Sequence, residues 1–180
     1  MKIGIDISQV VYGGTGVAQW VSSLVEQLSK IDSKNEYVLF FSSLRKKIPH
    51  FVLQCRTSRG KQNLKTKAFR FPPLLLDLLW NRLHILPIEW LIGDVDIFIT
   101  SDWTEPPIRR AKKATILYDL TVYAYPKETD KKIVETQKRK LKWVQKESDI
   151  IFCISEATKR DAMEILGIEE KRLKVIYPGI

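Results

Sequence analysis

The chain has 180 residues, 44% of them apolar, enough to bury one core and too little for two, so a single domain spanning 1–180 is expected. Its net charge of +9 is concentrated between residues 45 and 70, where nine cations (Arg45, Lys46, Lys47, Arg56, Arg59, Lys61, Lys65, Lys67 and Arg70) stand without one acidic residue. No uncharged apolar run reaches the roughly 18 residues of a membrane span, the start carries no basic-then-apolar leader, and Cys55 and Cys153 form no CxxC pair. A spanning helix, a secretory leader and a zinc ribbon are thereby excluded, and the expectation is a cytoplasmic protein.

In chain order, Lys2 to Ser8 alternates like a strand and runs into a glycine-containing loop. Val17, Trp20, Val21, Leu24, Val25 and Leu28 then recur at helical spacing. Tyr37 to Phe41 is a continuous apolar run, the pattern of a strand buried on both faces of a parallel sheet. The basic segment follows, with a weak strand expected from Phe51 to Arg56. Pro72 and Pro73 open a leucine-rich helical stretch, interrupted by Pro87 and stopped by Gly93, which reads as one kinked helix or two short ones. Three further strands are expected at Asp96–Thr100, Ala114–Tyr118 and Asp149–Ser155, with a charged helix from Glu128 to Glu147 before the last of them. Ser155 suits the N-cap of a helix that Gly167 closes. A last strand covers Leu173 to Ile176, before the turn signal Tyr177-Pro178-Gly179-Ile180. Strands alternating with helices on this scale give a Rossmann-like, doubly wound α/β fold, mostly parallel, with helices on both faces.

Two constellations carry chemistry. The glycine loop, Gly13, Gly14, Thr15 and Gly16, joins the first strand to the first helix, where backbone N–H groups and the helix dipole attract phosphate. It is not the GxGxxG of a nicotinamide site, because Ser8 to Tyr12 lengthens the loop and the second strand ends in Phe41-Ser42-Ser43 without an acidic residue. No GxxxxGK[ST] occurs either. The second constellation is Asp102, Trp103 and Glu105 after the Asp96–Thr100 strand, with Asp119 after the Ala114–Tyr118 strand. Ligands bind at the carboxyl ends of such sheets, so these residues and the glycine loop should share one rim. Taken singly, a loop Asp serves as well as a turn former. His50 and His84 read as loop and packing residues, and no metal-ligand spacing is visible.

The ordered runs IGIDISQVVYGGTGVAQWVSSL, PPLLLDLLWNRLHILPIEW, DVDIFITSDWTEPP, ATILYDLTVYAYP, ESDIIFCISEATKRDAMEILGI and LKVIYPGI cover nearly the whole chain. Their set and order resemble the retaining GT-B glycosyltransferases of family 4, the large group-1 family. The resemblance implies that this stretch is the N-terminal, acceptor-side half of a GT-B fold. The run like VIYPG would lead into a second Rossmann-like domain, absent from these 180 residues, that holds most of the nucleotide-sugar site. It further implies transfer of a sugar from a nucleotide-sugar donor to the hydroxyl of a sugar or lipid-linked acceptor, with no metal or other cofactor, and a half that is inactive on its own. By the same resemblance Gly13, Gly14, Thr15 and Gly16 would approach the donor, and Asp119 matches the Asp of a frequent His-Asp pair. Tyr118 stands where that His is common. Asp102, Trp103 and Glu105 are the candidate acceptor contacts, and Lys159 and Arg160 of SEATKRD are either cleft contacts or part of a structural helix start.

The basic 45–70 segment fits an anionic membrane surface, held peripherally on its inner face, or a plain solvated loop. Trp80 and Trp90 either join that contact or pack in the core. The alternative function, a non-catalytic α/β module using this segment on nucleic acid, lacks a groove-reading helix or an aromatic RNA platform, so nucleic acid is not favoured.

Overall fold

The computed structural model describes residues 1–57 and 63–178. Arg59 and Lys61 of the basic segment, and Gly179 and Ile180 of the closing turn, lie outside the described residues. Among those described, seven strands pair in parallel in the order β3-β2-β1-β4-β5-β6-β7. They are β1 (Lys2–Asp6), β2 (Glu36–Ser42), β3 (Leu64–Phe69), β4 (Ile97–Thr100), β5 (Lys112–Leu117), β6 (Ile150–Cys153) and β7 (Leu173–Val175). The chain winds outward from β1 to β3, returns to β4 on the other side of β1, and then runs on to β7. The β1/β4 boundary is therefore the switch point at which an open α/β sheet opens a crevice.

Val38 and Phe40 of β2 pack with Phe98 of β4 on one face of the sheet, beneath α3 (Pro73–Leu76), a π-helical turn at Asp77–Arg82 and α4 (Glu89–Ile92). Tyr37, Leu39 and Phe41 point the other way and pack against Val21 and Val25 of α1 (Gly16–Ile31) and Val52 of α2 (His50–Thr57). That alternation is why the apolar run at residues 37–41 is continuous. A third cluster joins Leu117, Ile151, Cys153 and Leu173 to α5 (Thr121–Ala124), α6 (Lys131–Glu147) and α7 (Glu156–Leu166). Burial among these apolar groups pushes the Cys153 thiol up to about 11, so it stays an unreactive thiol at neutral pH. At Gly4 the packing between β1 and the helices leaves no room for a side chain: a Cβ there would lie 2.6 Å from Phe98 Cδ2 and 2.9 Å from Ile92 Cδ1.

The expected elements are present with one correction. Residues 51–56 form the helix α2 and not a strand, and the third strand is β3 at Leu64–Phe69, inside the basic segment. Its alternation puts Leu64 in the core and leaves Lys65 and Lys67 exposed on the sheet edge. Ser155 caps α7 by accepting from Thr158 N at 3.1 Å, and Gly167 ends that helix with φ +62°, as its sequence position suggests. Trp80 is fully buried with its Nε1 donating to Leu86 O at 3.0 Å, whereas Trp90 is exposed. Among the described residues no helix is long and apolar enough to cross a membrane.

Candidate functional site

At the carboxyl ends of the strands, the loops after β1, β4 and β5 meet. After β1 the chain makes a 3-10 turn at Ser8–Val11 and reaches the glycine loop, where Gly14 takes φ +90°. A side chain is disfavoured at Gly14 by that backbone angle alone, because open space surrounds it, as it does Gly13 and Gly16. Thr15 caps α1, its Oγ1 accepting from Ala18 N at 3.2 Å. The positive end of a 16-residue helix thus faces the rim beside three exposed glycines.

After β4 the loop at 101–105 is held from below. Asn81, presented by the π-helical turn, donates from Nδ2 to Trp103 O at 2.9 Å and accepts from Glu105 N at 3.0 Å. Asp77 fixes the Asn81 amide at 3.0 Å and is itself gripped by Arg82 Nε and Arg139 Nη2, each at 3.0 Å. Asp102 is left facing the rim, where its carbonyl and its Oδ1 each accept from Gln137 Nε2 of α6 at 3.1 Å. Burial raises the Asp102 carboxyl above its ordinary value, reinforced by Asp119 and opposed by Lys140 and Gln137.

After β5, Asp119 is exposed and its Oδ1 accepts from Thr121 N at 2.9 Å in an Asx-type turn. Tyr118 is anchored by three contacts. Its carbonyl accepts from Thr158 Oγ1 at 3.0 Å, its hydroxyl lies 3.1 Å from Ser101 Oγ, and its ring meets Trp20 of α1 edge-on with centroids 6.0 Å apart. Burial first, then the Asp102 and Asp6 carboxylates, push the phenol far above its ordinary value against the Ser101 hydrogen bond, so it serves as a neutral hydrogen-bonding group.

Asp102, Trp103, Tyr118, Asp119, Gln137 and Lys140 line one cavity of about 370 Å³, and Val17 of α1 closes its side. Tyr118 and Asp119 also border an adjoining cleft of about 650 Å³ whose far wall is Gly16 and Trp20. Of the expected rim residues, Asp102, Trp103, Tyr118, Asp119 and Gly16 are brought together, whereas Gly13, Gly14 and Thr15 line neither space and Glu105 and Lys159 are engaged elsewhere. Glu105 lies under the floor: it is 0% exposed, and its carboxylate accepts from Thr100 Oγ1 at 2.7 Å and Thr115 Oγ1 at 3.1 Å, with Lys113 Nζ 3.7 Å away. No acceptor touches a group so enclosed, and its effect on the rim passes through the 101–105 loop. Lys159 pairs with Glu170 at 2.8 Å, while Arg160 is exposed.

Two site residues escaped the sequence reading, Gln137 and Lys140. Lys140 is fully buried, its Nζ donating to Ser101 O, and it is the cation facing Glu105, Asp102 and Asp6. Burial lowers its proton affinity and these three carboxylates restore part of it. The legible signal was position: Val134, Gln137, Leu141 and Val144 share the inward stripe of α6, so a lysine at 140 falls inside it. His84 is a packing residue, as expected. It stacks on Trp143 at 3.5 Å, and its ring nitrogens face Trp80 O at 2.8 Å and Glu147 Oε1 at 2.9 Å. Among the described residues there is no group of three or more His, Cys, Asp or Glu placed to hold a metal ion.

The model of Glycosyltransferase Family 4 matches residues 14–180. Among solved structures, the chain is similar to a glycosyltransferase from Rickettsia africae ESF-5, with 16% identity and a TM-score of 0.51, covering 99% of this chain and 43% of that one. It is also similar to a short-chain dehydrogenase from Oenococcus oeni PSU-1, with 11% identity and a TM-score of 0.42, covering 99% of this chain and 96% of that one. No curated protein sequence matches it. The 180 residues span less than half the length of the Rickettsia glycosyltransferase and reproduce its fold over that part. With the family match running through all but the first 13 residues, this chain belongs to glycosyltransferase family 4.

Proposed function

We propose that the chain is the acceptor-side half of a retaining sugar transfer, in which a nucleotide-sugar donor is closed against the rim and an acceptor hydroxyl is held at Asp102 and Trp103. The observation that carries this reading is the convergence of Asp102, Tyr118 and Asp119 on one cavity beside the glycine loop. Breaking a sugar–diphosphate bond builds negative charge on the leaving oxygens and positive charge on the anomeric carbon. The N-terminus of α1 and the amides of Gly13, Gly14, Thr15 and Gly16 suit the first, and the exposed Asp119 carboxylate suits the second or a donor hydroxyl. Tyr118 supplies a neutral donor, and no step asks for a metal. A second Rossmann-like domain would contribute most of the nucleotide contacts, so the 180 residues alone should turn over little donor.

The test is transfer by the full-length product of the reading frame with a panel of nucleotide sugars, scored by nucleoside diphosphate release. Asp119→Ala should lower kcat by about a hundredfold, as loss of one preorganised polar group does. Failure of every nucleotide sugar, or full activity in Asp119→Ala, would refute the assignment.

The exposed Arg45, Lys46, Lys47, Lys65, Lys67 and Arg70, with Leu44 exposed beside them, support a peripheral contact with an anionic membrane at which lipid-linked acceptors reside. Replacing Arg45, Lys46 and Lys47 by Glu should abolish co-sedimentation with phosphatidylserine vesicles. Binding that survives the triple change counts against the membrane contact.

A further inference from the structure

Asp102 carries its carboxyl in a place that disfavours a charge. Burial penalises the ionised form, and Asp119 on the same cavity adds repulsion. Its support comes from α6, where Gln137 and Lys140 stand three positions apart on the inward face. They reach consecutive carbonyls of the loop after β4. Gln137 Nε2 donates to Asp102 O and Asp102 Oδ1, each at 3.1 Å, and Lys140 Nζ donates to Ser101 O. That last carbonyl belongs to the peptide joining Ser101 to Asp102. The Ser101 Oγ, in turn, lies 3.1 Å from the Tyr118 hydroxyl. One lysine therefore fixes the segment from which both Asp102 and the hydrogen-bond partner of Tyr118 project.

Lys140 is 2% exposed, on a stripe it shares with Val134, Leu141 and Val144. An ammonium enclosed there is costly unless anions offset it, and an apolar side chain would pack with no such penalty. Glu105, Asp102 and Asp6 supply the anions, and Lys113 opposes them. Asp6 and Glu105 are themselves enclosed, the first accepting from Ser8 N at 2.9 Å and the second having Lys113 Nζ 3.7 Å away. Asp102 alone of the three lines the cavity, and among the described residues Lys140 is the cation that acts on it. We propose, resting on the transferase reading above, that Lys140 is a positioning residue: it pins the Ser101–Asp102 peptide and, as the cation beneath the cavity, keeps Asp102 a carboxylate that accepts a hydrogen bond from the acceptor hydroxyl. A protonated Asp102 would instead compete with that hydroxyl as a donor. The neighbouring Tyr118 hydroxyl feels the same Asp102 charge, so the two rim groups are set together by one buried cation.

The first test needs no turnover. Carboxyl ¹³C resonances of the full-length product are followed against pH, with Asp102 assigned by its loss in Asp102→Asn. In Lys140→Met the Asp102 midpoint should rise by about one pH unit. Should Lys140→Met fail to fold, the reciprocal measurement leaves Lys140 in place: in Asp102→Asn the Lys140 midpoint, read from its ¹³Cε, should fall by the same amount. An Asp102 midpoint unmoved in Lys140→Met, or a Lys140 midpoint unmoved in Asp102→Asn, overturns the proposal whether or not transfer occurs. Transfer by the full-length product is scored separately. Lys140→Met should move the acid limb of kcat/KM for the acceptor upward by the same pH interval, a loss of about tenfold below the limb that shrinks above it, with KM for the nucleotide sugar unchanged. A loss equal at every pH assigns Lys140 to folding and overturns the positioning role, and it spares the transferase reading. Coupled midpoints with no turnover of any nucleotide sugar support the charge pairing and refute the transferase reading on which its use for an acceptor rests.

Discussion

Lys113 has no solvent exposure and stands between two carboxylates, with its Nζ 2.8 Å from Glu147 Oε2 and 3.7 Å from Glu105 Oε1. Glu147 in turn accepts from His84 Nε2, so a single chain of charges ties β5 to the end of α6 and to the turn after the π-helical segment. Removing the Lys113 cation leaves the enclosed Glu105 with only the more distant Lys140 as a positive neighbour. Lys113→Ala is therefore expected to cost about 3–5 kcal/mol in chemical denaturation, and Lys113→Met combined with Glu105→Gln should recover most of it. A loss under about 1 kcal/mol for the single change would mean that the Thr100 and Thr115 hydroxyls suffice for Glu105. The same residues show where residue-by-residue reading of a sequence stops. Asp102 and Glu105 are three positions apart in one loop and look alike as letters. One faces the rim and the other the sheet interior, because Asn81, 24 positions upstream of Glu105, holds the peptide between them.

At the level of elements, β3 is the outer strand of the sheet and carries Lys65 and Lys67 on its exposed positions. Charges there keep an unpaired strand edge from recruiting a second copy. Lys65→Val with Lys67→Val should give concentration-dependent light scattering at temperatures where the unchanged protein is clear, and a monomeric double variant would assign these lysines to the membrane contact alone. This device also explains why the strand was not legible: LKTKAF carries the alternation of a strand, but its lysines fall in a run of cations that reads as loop, and the apolar residues at 51–56 competed for the assignment. The remaining strands and α1, α6 and α7 were legible because their apolar periods are long and their caps conventional. The π-helical turn at Asp77–Arg82 was not, since it depends on contacts from Trp103, Arg139 and Trp143, all distant in sequence. At the candidate site the loop residues after β4 and β5 were legible from topology. The α6 contributions were hidden by the surrounding Lys138, Arg139 and Lys142, which make Lys140 look like one more surface charge.

For the whole molecule, the buried and half-buried carboxylates set the response to acid. Burial alone would raise Asp77 and Glu147, but Asn81, Arg82 and Arg139 around the first, and Lys113 and His84 around the second, hold both below their ordinary values of 3.8 and 4.5. A depressed folded-state value means that the unfolded chain takes up protons first, so this stabilisation is present above about pH 4.5 and is lost as the pH falls. Asp6 and Asp102, raised by burial, act in the opposite sense and favour folding most when protonated. Urea unfolding followed downward from neutral pH should therefore show stability declining below about 4.5, with Glu147→Gln giving a shallower decline from a lower starting value. Identical slopes for the two proteins would rule Glu147 out as a source of the acid response.

The parallel sheet also has a kinetic consequence. Asp6, Asp102, Asp119 and Lys140 meet at one rim, yet each arrives on a different segment, and the pairing of β1 with β4 that joins the first two closes a loop of more than 90 residues. Such closures come late in folding, after local helices have formed, because their entropy must be spent before any contact returns it. A nascent chain that has emerged only as far as β3 has its glycine loop and its first helix but no floor beneath them. The rim is complete only once β4 seats between β1 and β5.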